Sequence, residues 1–398
     1  MSLYLIVLIM LLGFSIYEYK KKKTQRVLYW IAFGVLTAML VLRYGQGTDY
    51  FSYYYNFLST PPIWQFSELL ATNVHGEAGW LFINAVFRGF GIPFHVLVVL
   101  VALLTMYSLH RFLSRHSTMM TVSLLLAYPT IYLTYAMSAI RQGLVLAIFL
   151  GFLIDWLYEK KYVRYILVTL ACALIHSSAL VFLALFAVKF ITIRLKPALL
   201  LMAVCAVVGF LSSKLLVSVF DSLVFYANDG FYLLAVGERV ISAGVIIFVF
   251  RDVLSSKETA HSSKLMYLLQ IYLYSCFIYC FLAWSARLGS RFAIFFKAVE
   301  LVLFVHALLS EPTVTLPGRI ASRLRLGTLK PIRVQKVIAC YLLGLTLLMY
   351  FKNIGSYIGQ NQYIDGINIF NYPYFSILNK DYLEEFMTIP FDLSRFFG

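Results

Sequence analysis

Arginine and histidine side chains interrupt long apolar runs at three places in this chain. Arg141 stands in the middle of the run 119–157, His176 separates two short apolar runs, and Arg287 and Arg291 lie at the centre of another. A guanidinium inside a bilayer is costly, so such residues usually line a polar cavity and indicate a functional site. Spaced four residues apart, the last two could instead only cap helix ends. The clustering predicts a site for an anionic ligand.

The chemistry that suits these residues is transfer of a group from a phosphate-bearing substrate. Guanidinium groups donate paired hydrogen bonds to phosphate oxygens and can stabilise a pyrophosphate leaving group without a metal. The candidate pyrophosphate ligands are Arg43, Arg141, Arg287 and Arg291. A carboxylate or an imidazole could take the proton from an attacking hydroxyl; the candidates are Asp49, Glu77 and His176. Tyr53 and Gln142 are candidate sugar contacts because aromatic faces and polar side chains suit sugar rings.

Each candidate also has a purely structural interpretation. Arg43 could lie at the membrane interface with its charge extended into water, and Asp49 could simply pair with it. His176 could be a structural hydrogen-bonding residue. Lys297, in the same apolar run as Arg291, could face the cavity or pair with Glu300.

The composition is that of an integral membrane protein. Of 398 residues, 61% are hydrophobic and 13% are charged, against roughly 25% charged in soluble domains, and the mean hydropathy is +0.82. The net charge of +15 does not indicate nucleic-acid binding, because the basic residues occupy short loops between apolar runs. Walker, Rossmann, HExxH and Asp-rich metal motifs are absent from the sequence, and the five cysteines lie in apolar runs as packing residues. We therefore expect no cofactor and no metal.

Apolar runs of about 20 residues separated by basic loops predict one all-α membrane domain over residues 1–398. The first run precedes Lys20–Lys23, opposite to the charge order of a secretory signal, so we interpret it as a retained helix with its N-terminus outside. The twelve predicted spans are at about 3–18, 27–42, 93–110, 118–136, 139–157, 162–175, 177–191, 197–212, 234–250, 264–285, 290–309 and 336–351.

Four longer segments connect or follow these spans. Residues 43–91 form an outer loop with interfacial helices such as 80–90, residues 213–231 form a second outer loop, and residues 352–398 form an outer tail. The basic loop 310–335 is expected to contact anionic lipid headgroups on the inner side. The run 162–188 is long for one helix and short for two, and the basic-loop rule favours a hairpin turning at His176. Under this topology the polar candidates gather on the outer face.

The sequence resembles the EpsG family of polytopic bacterial proteins, which are Wzy-type polysaccharide polymerases. The resemblance covers most of the chain. The motif elements that carry it are Arg43, Gly47-Thr-Asp49, Tyr53, Glu77, Ser138-Ala-Ile-Arg141-Gln142, Ala173-Leu-Ile-His176-Ser-Ser-Ala179, Arg287, Arg291-Phe292 and Tyr372-Pro-Tyr374.

The resemblance implies a helical GT-C-like bundle and a metal-independent glycosyltransferase at the outer face of the bacterial plasma membrane. It implies transfer of a growing glycan from undecaprenyl pyrophosphate to a lipid-linked repeat unit. The implied partners are the lipid-linked donor and acceptor and membrane lipids, and the further candidate partners are a chain-length regulator and a flippase. The residues leave two alternatives open, a lipid-linked oligosaccharide flippase and an O-antigen ligase-like transferase. The flippase is disfavoured because the polar groups gather on one face and no internal repeat is evident.

Overall fold

The computed structural model describes residues 1–71, 74, 76–219, 233–257, 259–260, 262–310, 334–360 and 366–380. Within these ranges the regular elements are helices, accompanied by one isolated antiparallel bridge between Arg43 and Ser376. Most of the predicted loop 310–335, residues 220–231 of the second outer loop, and parts of the tail fall outside the described residues. The chain divides into two compact units, one of Met1–Phe186 with Leu348–Gly398 and the other of Ala187–Leu347.

The first unit contains the helices that carry most of the predicted site. They are α1 (Leu3–Lys21), α2 (Arg26–Leu42), α3 (Tyr50–Ser59), α4 (Phe66–Ala71), α5 (Ala78–Gly89), α6 (Phe94–His116), α7 (Met120–Ala127), the π-helix π1 (Tyr128–Ser138), α8 (Ile140–Ile148), the π-helix π2 (Phe149–Leu153), α9 (Ile154–Tyr158), α10 (Tyr162–Ile175) and a 3-10 helix (Ser177–Lys189) that ends in the second unit.

The second unit contains the remaining long helices. They are α11 (Leu195–Val219), α12 (Leu233–Val249), α13 (Arg251–Ser255), α14 (Lys264–Leu282), α15 (Ala286–Lys297), α16 (Glu300–Leu309) and α17 (Val334–Gln360), whose last residues belong to the first unit.

Helices occupy every predicted span, but the predicted number of spans is not confirmed. Within the described residues, seven helical segments are long and apolar enough to cross a membrane, or eight if α15 and α16 form one span. Three further apolar helices, among them α2 and α10, are shorter. The predicted span 290–309 is not one straight helix, because α15 and α16 meet at a bend of 57° around Ala298–Val299. The protein is therefore a polytopic helical membrane protein.

The run 162–188 folds back on itself as a hairpin, as the sequence predicts. The helix α10 ends at Ile175, and the 3-10 helix begins at Ser177. The Tyr165 hydroxyl donates to the Phe182 carbonyl at 2.6 Å, and the rings of Tyr165 and Phe186 are 5.3 Å apart. These contacts join residues on either side of the turn, so His176 lies at the tip.

The segment that follows α2 is a folded layer. Buried aromatic residues of α3 and α5 pack together with the first turns of α6 and α8, and the core residues include Tyr53, Phe57, Trp80, Phe94 and Ile140. Burial of large aromatic side chains contributes strongly to packing. This layer fixes the position of the start of α5, which Glu77 directly precedes.

The segment π1 has backbone carbonyls that accept side-chain hydrogen bonds. The Asn353 amide donates to the Pro129 carbonyl at 2.5 Å, the Tyr357 hydroxyl donates to the Leu133 carbonyl, and the Tyr132 hydroxyl of π1 itself donates to the Leu36 carbonyl at 2.6 Å. Proline removes one backbone donor at the start of this segment. Pi-helical turns are frequent at functional sites, and here π1 ends directly before Arg141.

Candidate active site

Glu77 is the centre of the candidate site. One oxygen of its carboxylate pairs with the Arg141 guanidinium. The other oxygen lies 3.1 Å from His176 Nδ1 and accepts from the Ser177 backbone N–H at 3.0 Å. Residues far apart in the sequence thus meet at one acid, and each of the three ionisable side chains keeps some contact with solvent.

Close helix packing brings Glu77 to the hairpin tip. Glu77 immediately precedes α5, and Gly79 lies in the first turn of that helix. A Cβ atom at Gly79 would stand 2.7 Å from the Leu174 carbonyl oxygen, near the end of α10. Only glycine permits this approach, so the Glu77–His176 contact depends on the missing side chain.

Arg141 lies in the first turn of α8, two residues after Ala139, whose backbone is not helical and separates π1 from α8. A cation at a helix N-terminus is unfavourable because the helix dipole is positive there, and the Glu77 carboxylate offsets that effect. The guanidinium carbon lies 5.5 Å from the centroid of the Tyr53 ring. The Arg141 Nε atom is buried without a hydrogen-bond partner among the described residues, which leaves the side chain with binding capacity.

The electrostatics determine the proton positions. Burial alone would raise the pKa of Glu77, but the hydrogen bond from His176, the charge of Arg141 and the Ser177 N–H together lower this pKa to about 2. Glu77 is therefore ionised at neutral pH and can only accept hydrogen bonds. His176 Nδ1 must then carry the donated proton. In the neutral imidazole, Nε2 is left as the acceptor, which is the arrangement of an oriented general base.

The loop between α2 and α3 packs against the end of π1. Arg43 is fully buried, and its Nη1 donates to the carbonyls of Ala136 and Met137 at 2.6 and 2.9 Å. Gly47 has a φ of +93°, and a Cβ atom there would stand 2.4 Å from the Met137 oxygen. The interfacial placement considered for Arg43 is wrong, because π1 encloses its side chain.

Two donors of Arg43, Nε and Nη2, are buried without a hydrogen-bond partner among the described residues. Asp49 is half-buried at the start of α3, where it accepts from the Thr48 hydroxyl at 2.8 Å. Within the described part of the chain, no ion pair joins Asp49 to Arg43, contrary to the pairing considered from the sequence.

Of the predicted sugar contacts, Tyr53 lies beside Arg141, and Gln142 is buried in α8. Arg287 and Arg291 are exposed on α15, spaced to share a helix face, and belong to the second unit. The structure thus brings together Tyr53, Glu77, Arg141 and His176. No group of three or more His, Cys, Asp and Glu side chains within the described ranges could hold a metal ion.

The family model of the EpsG family matches residues 26–311. This chain belongs to the EpsG family. No curated protein and no solved structure matches it. The matched range contains Arg43, Glu77, Arg141, His176 and Arg291, whereas the late Tyr-Pro-Tyr element lies beyond it.

In this EpsG-family protein, two groups of residues were not predicted from the sequence. The first is the packing glycines, above all Gly79, which has no distinctive local signal. The second is the acid–base pair Glu238 and Arg239 inside the apolar helix α12. The signal for that pair was present, because the rule that singled out Arg141, a charge within an apolar run, applies equally to it.

Proposed function

We propose that the protein is a glycosyltransferase that polymerises lipid-linked repeat units at the outer face of the bacterial plasma membrane. Family membership supports a polysaccharide-polymerase type of membrane protein. The donor we propose is a growing glycan on undecaprenyl pyrophosphate, and the acceptor is a hydroxyl of a new lipid-linked repeat unit. The observation that carries the proposal is the Glu77 carboxylate, which holds a phosphate-binding cation and an imidazole side by side.

In the proposed reaction the acceptor oxygen attacks the anomeric carbon of the donor. The bond from that carbon to the pyrophosphate oxygen breaks, and the new glycosidic bond forms. His176 Nε2 takes the hydroxyl proton, while Arg141 binds the departing pyrophosphate and stabilises its developing charge. Transfer therefore releases undecaprenyl pyrophosphate and a longer chain on the acceptor lipid. A twelve-span, GT-C-like arrangement around this site remains part of the proposal.

Glu77 serves as a positioning residue in this mechanism. With a pKa of about 2 it is a weak base, but its negative charge orients the imidazole and stabilises the imidazolium that forms. Asp49, which lies four residues before Tyr53 and accepts from the Thr48 hydroxyl, is the second candidate base. Arg287 and Arg291 are proposed as further pyrophosphate ligands, and Arg43 can join them only through Nε and Nη2, since Nη1 is occupied by π1.

The test uses a strain that lacks the gene and carries either the wild type, Arg141→Gln or His176→Gln. The matched control is Arg164→Gln, which removes an exposed cation from α10. We expect polymer in the wild type and the control, and single repeat units on the outer face in both site variants, at equal membrane levels of protein. Repeat units trapped on the inner face would indicate a flippase, and normal polymer with Arg141→Gln would refute the proposal.

A further inference from the structure

The second unit contains a cavity that the proposed reaction does not use. Its volume is about 270 Å³, and α11, α12, α14 and α15 surround it. Two cations, Arg239 and Lys297, lie in a lining that is otherwise mainly apolar. Its apolar wall includes Leu199, Met202, Val240, Gly244 and Ile247.

Lys297 is fully engaged with acids. Its Nζ lies 3.0 Å from the Glu238 carboxylate and also pairs with Glu300 across one turn. The pair with Glu300 that the sequence offered is confirmed, and Lys297 also lies in the lining of this cavity. The lysine and the two carboxylates largely satisfy each other and leave little charge for a ligand.

Arg239 is the cation that remains available. Its Nε lies 3.8 Å from the Glu238 carboxylate, beyond hydrogen-bond distance, and its guanidinium stacks over the Tyr279 ring at 4.5 Å. The Arg239 Nη1 atom and the Tyr279 hydroxyl are both buried without a hydrogen-bond partner among the described residues. An unsatisfied charged donor in an apolar setting is expensive. Both groups line the cavity, so an anion there would satisfy both.

The cavity is open on one side. Val240 and Leu199 line it and are 64% and 50% exposed. Along α14 the lining runs from Tyr272 to Cys280, which is about 12 Å at 1.5 Å per residue. An apolar slot of that length suits one hydrocarbon chain that enters laterally from the membrane.

We propose that this cavity binds an anionic lipid, with its phosphate on Arg239 and Tyr279 and one hydrocarbon chain along α12 and α14. Arg239 donates to the phosphate oxygens, and the Tyr279 hydroxyl completes the contact. Glu238 is the nearby carboxylate, and its engagement by Lys297 lowers the repulsion that the phosphate meets. A glycerophospholipid and a polyprenyl phosphate share this chemistry.

The test measures lipid binding to the purified, delipidated full-length protein by native mass spectrometry. The probes are phosphatidylglycerol, farnesyl phosphate and, as a neutral comparison, phosphatidylcholine. The variants are Arg239→Gln, the charge-preserving Arg239→Lys, and Arg251→Gln as the control for an exposed arginine of the same unit. A second measurement follows maleimide modification of Cys280, which lines the cavity, with and without lipid.

We expect at least one anionic probe to bind the wild type and Arg251→Gln and to slow modification of Cys280. Binding should weaken about tenfold or more in Arg239→Gln and partly recover in Arg239→Lys. Preference for phosphatidylglycerol would identify a membrane phospholipid, and preference for farnesyl phosphate would identify a polyprenyl lipid. Equal binding of phosphatidylcholine, or unchanged binding in a folded Arg239→Gln protein, would overturn the proposal. Because binding is read directly, this result is independent of polymerase activity.

Discussion

Removing the charge of Glu77 tests the proposed site most directly. The change Glu77→Gln keeps the size of the side chain and leaves an amide oxygen that can still accept from His176 or Ser177. It removes the ion pair with Arg141 and the preference for a donated proton on His176 Nδ1. The variant therefore separates electrostatic positioning from simple packing.

The interactions of Glu77 indicate how large the loss of turnover in Glu77→Gln should be. The pKa of Glu77 falls from 4.5 to about 2, which corresponds to about 3 kcal/mol of net interaction with the ionised carboxylate. The Glu77 side chain is only 22% exposed, so most of this interaction escapes solvent screening. If about 2–3 kcal/mol is lost from alignment in the transition state, turnover falls roughly 30- to 150-fold. The thermal midpoint should fall as well.

The assay is polymerisation of a lipid-linked repeat unit by purified protein, with products resolved by size. Glu77→Gln, Arg141→Gln and the double variant form a cycle, and a second cycle uses His176→Gln. Because the residues act as one unit, the double variants should be little worse than the more damaging single variant. The matched control is Glu68→Gln, which neutralises an exposed acid of the segment between α2 and α5 and should leave turnover unchanged.

Two results would refute this reasoning. A folded Glu77→Gln protein with turnover within twofold of the wild type would show that the carboxylate does not position the reacting groups. Strictly multiplicative losses in the double variants would show that Glu77 and its two partners act independently.

Three further predictions concern packing and pH. Gly79→Ala should reduce polymerisation at least tenfold, because overpacking costs about 1–3 kcal/mol and displaces Glu77. The control Gly13→Ala places no atom near the added Cβ and should leave polymerisation unchanged. Gly47→Ala should be more damaging than Gly91→Ala, because both have positive φ but only the former meets backbone; equal losses of thermal stability would contradict this. The stability contributed by Glu77 should be complete above pH 4.5 and disappear as pH falls towards 2, since its pKa is lowered by folding. The measurement compares the thermal midpoints of the wild type and Glu77→Gln over that pH range, and the difference between them should shrink as the pH falls. A difference that stays constant with pH would contradict the prediction.

The helices and the hairpin turn could be predicted because each depends on a local property. Apolar runs bounded by basic residues predicted the helices, and a run of awkward length with His176 and two serines inside it predicted the break. The 57° bend between α15 and α16 could not be predicted, because Ala298 and Val299 are ordinary helix residues. The bend instead accompanies the network of Lys297 with Glu238 and Glu300.

The candidate residues were recognisable, but their partners were not. Glu77, Arg141 and His176 could each be singled out by type and setting, yet their separation in the sequence gives no indication that one carboxylate joins them. That contact depends on the distance between α5 and α10, and the helices can approach closely only because Gly79 has no side chain. Arg43 was assigned a possible place at the interface because its sequence neighbours do not reveal the carbonyls of π1 that receive it.

The hydrogen bonds to π1 also constrain when the site can form during synthesis. The Pro129 and Leu133 carbonyls are satisfied by Asn353 and Tyr357, each 224 residues later in the chain. The Leu133 carbonyl also accepts from the Ser138 hydroxyl at 3.3 Å, but before α17 is inserted both carbonyls lack the donors that this helix supplies. Because π1 ends only three residues before Arg141, we expect the site to mature only after α17 is in place. During biosynthesis, insertion of α17 into the membrane must therefore precede the formation of a functional site.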